Sequence, residues 1–109
     1  MARENFTGIF LALAALGLTV GGGLAAGQSH RIVIKAASYD PAQVRVHIGD
    51  QIEWDNQDIV AHTATVANKA WEVVMGPGRS GRIVAQSPGR FDYICRYHPN
   101  MKGEIIVEP

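Results

Sequence analysis

Phe91-Asp92-Tyr93-Ile94-Cys95-Arg96-Tyr97-His98-Pro99-Asn100-Met101-Lys102-Gly103-Glu104-Ile105-Ile106-Val107 is the stretch on which the reading of the whole chain turns. Phe91, Tyr93 and Cys95 alternate with Asp92 and so share one face of a strand. Gly103 to Glu108 has the composition of a second, closing strand. Between them, Cys95, His98 and Met101 recur at intervals of three on what reads as a short turn. A thiol, an imidazole and a thioether are thus presented together from one connection between two strands.

Working outward, the same grammar continues upstream. Arg31 to Ala37 reads as a first strand, broken at Tyr39-Asp40-Pro41. From Gln43 the chain alternates, with Val44, Val46 and Ile48 assigned to the inner face and Gln43, Arg45 and His47 to the outer one. Gly49-Asp50 signals a turn, after which Ile52 and Trp54 point inward. A polar loop, Asp55 to Ala61, leads to His62 and the strand Thr63 to Val66. Trp71 to Met75 and Arg82 to Gln86 are two more strands, separated by Gly76-Pro77-Gly78 and Ser80-Gly81, and Ser87-Pro88-Gly89 is a tight turn. Seven to eight short strands, frequent turn signals and no long helical pattern predict an all-β chain, an antiparallel β-sandwich.

The first 27 residues stand apart. Gly8 to Val20 is apolar, Gly21-Gly22-Gly23 and small residues follow, and no charge appears between Phe6 and Ser29. This is the layout of a signal peptide, with cleavage expected after Ala26 or Gly27. A retained membrane anchor is the competing reading, weakened by the triple glycine. Residues 28–109 then form one domain working outside the cytoplasm, in the periplasm, with no stable membrane insertion expected after cleavage. With 109 residues, 10 basic and 10 acidic, the chain carries no charge excess that would point to nucleic acid.

Export sharpens the meaning of Cys95, the only cysteine. An odd thiol in an oxidising compartment has no internal disulfide partner, and coordination of a metal removes that liability. His62 is the candidate for a second imidazole, giving one thiolate, two nitrogens and a weak second sulfur. That set matches a trigonal His₂Cys plane with a long axial Met, the donor set of blue-copper electron-transfer sites. Zinc is the rival, but structural zinc sites use four Cys or His ligands, whereas this chain offers three and a neutral thioether. Thiolate and thioether suit Cu(I) and imidazole suits Cu(II) as well, so one copper ion per chain is expected.

Val44-Arg-Val-His-Ile-Gly-Asp-Gln-Ile-Glu-Trp-Asp-Asn56, then His62, then Gly89 to Gly103 together resemble the cupredoxins, the type 1 blue-copper family. Within it, the Cys-x-x-His-x-x-Met spacing is similar to the plastocyanin- and amicyanin-like branch, whose ligand loop is the shortest. The resemblance implies a Greek-key β-sandwich with copper near one end. It implies His62, Cys95 and His98 as strong ligands, Met101 as the axial one, and Asn56 as a brace for the ligand loops. It further implies a monomeric one-electron carrier rather than an enzyme. Its partners would be a redox donor and acceptor, such as an amine-oxidising dehydrogenase and a c-type cytochrome. Thr63 stands where many relatives carry Asn. Its amide can still donate to the thiolate, and its hydroxyl can tie the two loops.

Ile59, Val60, Met75, Pro77 and Pro99 are expected to form an apolar docking patch around an exposed His98 edge. His47 is assigned to solvent, and Trp54 and Trp71 to the core. A periplasmic copper-binding or delivery protein is the second functional reading. It is disfavoured by the single thiolate and by the lack of a Met/His-rich tract. A metal-free adhesion sandwich is the third, and it leaves the Cys95–Met101 spacing unexplained.

Overall fold

The computed structural model describes residues 27–109; apart from Gly27, the expected leader lies outside the described residues. Nine strands follow one another: β1 (Ser29–Lys35), β2 (Ser38–Asp40), β3 (Gln43–His47), β4 (Gln51–Asn56), β5 (His62–Val66), β6 (Glu72–Met75), β7 (Ser80–Val84), β8 (Gly89–Ile94) and β9 (Lys102–Glu108). They form two sheets, ordered β2-β1-β4-β7 and β3-β9-β8-β5-β6. Alternation decides which side chains lie between the sheets. Ile32, Ile34, Ile52 and Trp54 come from the first, and Val44, Val46, Ala64, Val66, Tyr93, Ile105 and Val107 from the second. Tyr93 is central, its ring edge-on to Tyr39 at 4.7 Å and to Trp54 at 5.5 Å between centroids. The Trp54 indole N–H donates to its hydroxyl at 3.2 Å, so this buried hydroxyl has a partner.

The all-β sandwich stands, with two differences in detail. The ninth strand is β2, at the place where Tyr39-Asp40-Pro41 reads as a break. Ala36 and Ala37 adopt φ of 52° and 55° and close a two-residue hairpin in which Lys35 faces Ser38. Alanine does not advertise such a turn, which glycine and asparagine usually supply. Second, the pairing is mixed: β1 runs parallel to β4 and β3 parallel to β9, the other pairs being antiparallel. After β1 and β2 the chain crosses to the other sheet as β3 before returning as β4. A crossover of this kind permits parallel neighbours, whereas a tight hairpin does not.

Ile48 departs from the inner-face expectation. β3 ends at His47, Gly49 turns the chain at φ 96°, and Ile48 is 44% exposed. β5 departs from alternation altogether, since all five of its residues are buried. It lies between β8 and β6. Its Thr63 and Thr65 hydroxyls bond each other at 2.9 Å, and Thr65 donates to Glu72 at 2.8 Å, so they are satisfied beneath other groups.

Candidate metal centre

His62 opens β5 and Cys95 follows the last residue of β8. Because β5 and β8 are neighbours, the strand pairing itself brings these two side chains together. The turn after Cys95 is held by its own backbone. The His98 amide donates to the Cys95 carbonyl at 3.2 Å, the Met101 amide to the His98 carbonyl at 2.9 Å, and the Cys95 amide to the Met101 carbonyl at 3.3 Å. Two successive three-residue turns explain the spacing, because each returns the chain to the same side of the loop.

The donor atoms of His62, Cys95 and His98 lie within 4.8 Å of one another. Each imidazole presents Nδ1 to the sulfur, and both Sγ–Nδ1 separations are 3.7 Å. An ion about 2.3 Å from sulfur and about 2.0 Å from nitrogen, as zinc is held, separates the two donors by about 3.7 Å at a trigonal angle. The three residues therefore fit one first-row metal ion, and their softness selects copper. Met101 is buried at the end of the same loop.

Cys95 is fully buried. Burial opposes its ionisation, but the Thr63 amide at 3.3 Å, the His98 ring and the Tyr97 amide outweigh it. The thiol is pulled down from 9.0 to about 6, so the fold favours the thiolate that a soft metal takes. The Thr63 hydroxyl accepts the Arg96 amide at 2.8 Å, and the Tyr39 hydroxyl donates to the Thr63 carbonyl at 2.5 Å. Both contacts expected of Thr63 are present.

Asn56 is a brace. Its buried side-chain amide donates to the carbonyls of Val60, Met75 and Gly76 at 2.9, 3.3 and 3.1 Å, and its oxygen accepts the Asp58 amide at 3.0 Å. One side chain thus ties the loop before His62 to the end of β6.

His98 is exposed, as are Pro99, Pro77, Tyr97, Val60 and Ile59, the last at 91%. Met75 does not belong to this patch: it pairs with His62 across the β5–β6 ladder and is 1% exposed. The rim is mixed in charge, with Arg96 paired to Glu72 and Arg31 to Asp55. His47 is exposed and Trp54 is core, as expected, while Trp71 is only partly covered.

Two residues carry more than the sequence suggested. Asp58 Oδ2 lies 2.8 Å from His62 Nε2, within hydrogen-bond distance; four residues before a histidine, in a polar loop, it carries no sequence signal of that contact. His30 bonds Asp50 at 2.9 Å through its own Nε2, although nothing in its sequence surroundings marks it.

Comparison with known proteins agrees with this geometry. A family model described as a cupredoxin-like domain matches residues 8–107. Amicyanin-alpha of Methylorubrum extorquens is 28% identical over 86 residues, covering 73% of this chain and 72% of its own. Amicyanin of Paracoccus denitrificans is 28% identical over 81 residues, and the chain spans only 62% of that relative's length. Among solved structures, a reduced Cu(I) amicyanin variant at pH 4 superimposes with a TM-score of 0.67 at 25% identity, over 79% of this chain and 88% of that one. A copper-containing nitrite reductase from Thermus scotoductus superimposes with a TM-score of 0.66 at 27% identity, over 74% of this chain but 22% of the enzyme. With the matched model spanning both sheets and every residue of the donor cluster, the chain belongs to the cupredoxin-like family.

Proposed function

We propose that the chain is a small blue-copper electron carrier of the periplasm. In this reading His62 Nδ1, Cys95 Sγ and His98 Nδ1 would hold the ion most strongly, and the Met101 thioether, buried at the end of the same loop, would add a weaker soft donor. The observation that carries it is the pair of imidazole Nδ1 atoms, each 3.7 Å from one buried sulfur that the fold prefers as thiolate. Copper bound there supplies a one-electron Cu(I)/Cu(II) couple.

The residues divide the remaining work. Cys95 provides the soft anionic donor, and its strand neighbours Tyr93, which is buried, and Phe91, packed against the core, keep water from its inner side. Asn56 and Thr63 hold the two donor loops in one arrangement, which limits the rearrangement between oxidation states. His98 brings the site to the surface, where Ile59, Val60, Pro77 and Pro99 offer apolar area for a weak, short-lived encounter. A redox protein docks there, and the electron passes along the exposed imidazole edge. Donor and acceptor are redox proteins of the class that an amine-oxidising dehydrogenase and a c-type cytochrome represent. The chain transforms no substrate of its own, acts as a monomer, and reaches the periplasm by removal of residues 1–27.

Adding Cu(II) to the purified protein and recording visible and paramagnetic-resonance spectra tests this. Intense blue absorption that vanishes on reduction is expected, and a colourless cupric sample would sink the reading. Rapid loss of Cu(I) to a chelating acceptor, without fast electron self-exchange, would favour copper delivery instead.

A further inference from the structure

Asp58 holds three donors at once. Its Oδ1 accepts the Ala36 amide at 2.7 Å, and its Oδ2 accepts the Ala37 amide at 2.9 Å and His62 Nε2 at 2.8 Å. Ala36 and Ala37 are the two residues of the β1–β2 turn, both in the left-handed region, at φ 52° and 55°. That region is disfavoured for any residue with a Cβ, and the carboxylate supplies the turn with outside support. The turn in turn fixes the carboxylate, because two convergent amides leave it one orientation. His62 is fully buried and has little freedom of its own.

We infer that Asp58 is a positioning residue for the metal-facing histidine. Clamped by the Ala36–Ala37 turn, it holds the His62 imidazole as the Nε2–H tautomer and leaves the Nδ1 lone pair aimed at Cys95. An ionised carboxylate can only accept hydrogen bonds, so the proton between the two groups resides on Nε2. Two backbone amides already converge on its oxygens, so the carboxylate sits among donors and has no proton of its own to offer Nε2. Outer partners of this kind orient a ligating histidine and raise its basicity. The charge of Asp58 also favours the more highly charged cupric state over the cuprous one, so the β1–β2 hairpin, remote from the ligand loop in sequence, helps set the potential.

The potential rests on the electron-carrier reading, but the tautomer does not. The first measurement is therefore made on the metal-free, unaltered protein, by the imidazole nitrogen chemical shifts of His62. An Nε2–H tautomer is expected; an Nδ1–H tautomer overturns the inference whether or not copper binds. The second compares Asp58→Asn with Asp55→Asn after copper loading. Asp55 is bonded to Arg31, Gln57 and Ser80 rather than to a donor histidine, and so controls for a change of net charge alone. Asp58→Asn is expected to weaken Cu(II) relative to Cu(I) about tenfold, which raises the potential by about 59 mV for one electron. Asp55→Asn is expected to shift it much less. Equal shifts in both variants, or none in Asp58→Asn, would overturn the inference. A chain that takes up no copper would overturn the carrier function and leave the tautomer measurement to decide this one.

Discussion

The amide of Thr63 lies 3.3 Å from the sulfur of Cys95, across neighbouring strands and 32 residues apart in the chain. The same residue takes the amide of Arg96 on its hydroxyl at 2.8 Å. Main chain and side chain of one threonine thus grip both sides of the cysteine, the first through its sulfur and the second through the peptide that follows.

Thr63→Ala separates the two grips. It keeps the amide donor to sulfur but leaves the Arg96 amide without its acceptor and breaks the Thr63–Thr65 bond. A loss of about 0.5–1.5 kcal/mol is expected, the net contribution of one intramolecular hydrogen bond. Urea unfolding of the metal-free protein measures it, and an unchanged midpoint would contradict the assignment.

Asn56→Ala should destabilise by about 1–3 kcal/mol, since it strips three carbonyls of a shared donor. Thermal unfolding with and without copper gives the test. Because the brace joins the loop before His62 to β6, the gain in melting temperature on copper loading should also shrink in the variant.

Gly103→Ala probes the packing behind the site. A methyl group at Gly103, which faces Tyr93 in the β8–β9 ladder, would overlap the Tyr93 ring. That ring is locked between Tyr39 and Trp54 and cannot step aside cheaply. Overpacking costs about 1–3 kcal/mol, and denaturant titration should show at least this much. Retention of full stability would mean that Tyr93 is freer than its contacts indicate.

Asp50 supplies the pH dependence. The His47 amide first, then the His30 side chain and the Gln28 amide, hold its carboxyl down from 3.8 to about 2. A lowered folded-state value means that the ionised form is favoured by folding. Its contribution is complete above about pH 4 and is lost as the pH falls towards 2. Asp50→Asn should flatten the fall in stability over that window, as followed by fluorescence of Trp54 and Trp71 during acid titration. A variant with the same acid limb as the unaltered protein would refute it.

Much of the architecture was legible because a sandwich interior imposes a period of two, which survives in Val44 and Val46, in Ile52 and Trp54, and in Phe91, Tyr93 and Cys95. It failed where a local conformation interrupted it. Ile48 fits the apolar phase of its strand, yet the turn at Gly49 carries it outward. The β1–β2 hairpin was invisible because two alanines occupy a turn that their side chains do not favour. Met75 looked like a surface residue beside Gly76-Pro77, but its ladder partner is the buried His62.

Composition and spacing alone determined that the chain is all-β and that Cys95, His98 and Met101 belong to one loop with the chemistry of a soft metal. Such information is local: strand alternation and three-residue turns are set by neighbouring residues. Only the tertiary structure decided that His62 faces the same sulfur, that Thr63 donates to it, and that Asp58 is tied to a distant hairpin. Those contacts join segments brought together by sheet order and by the crossover between layers, which no short window of sequence encodes.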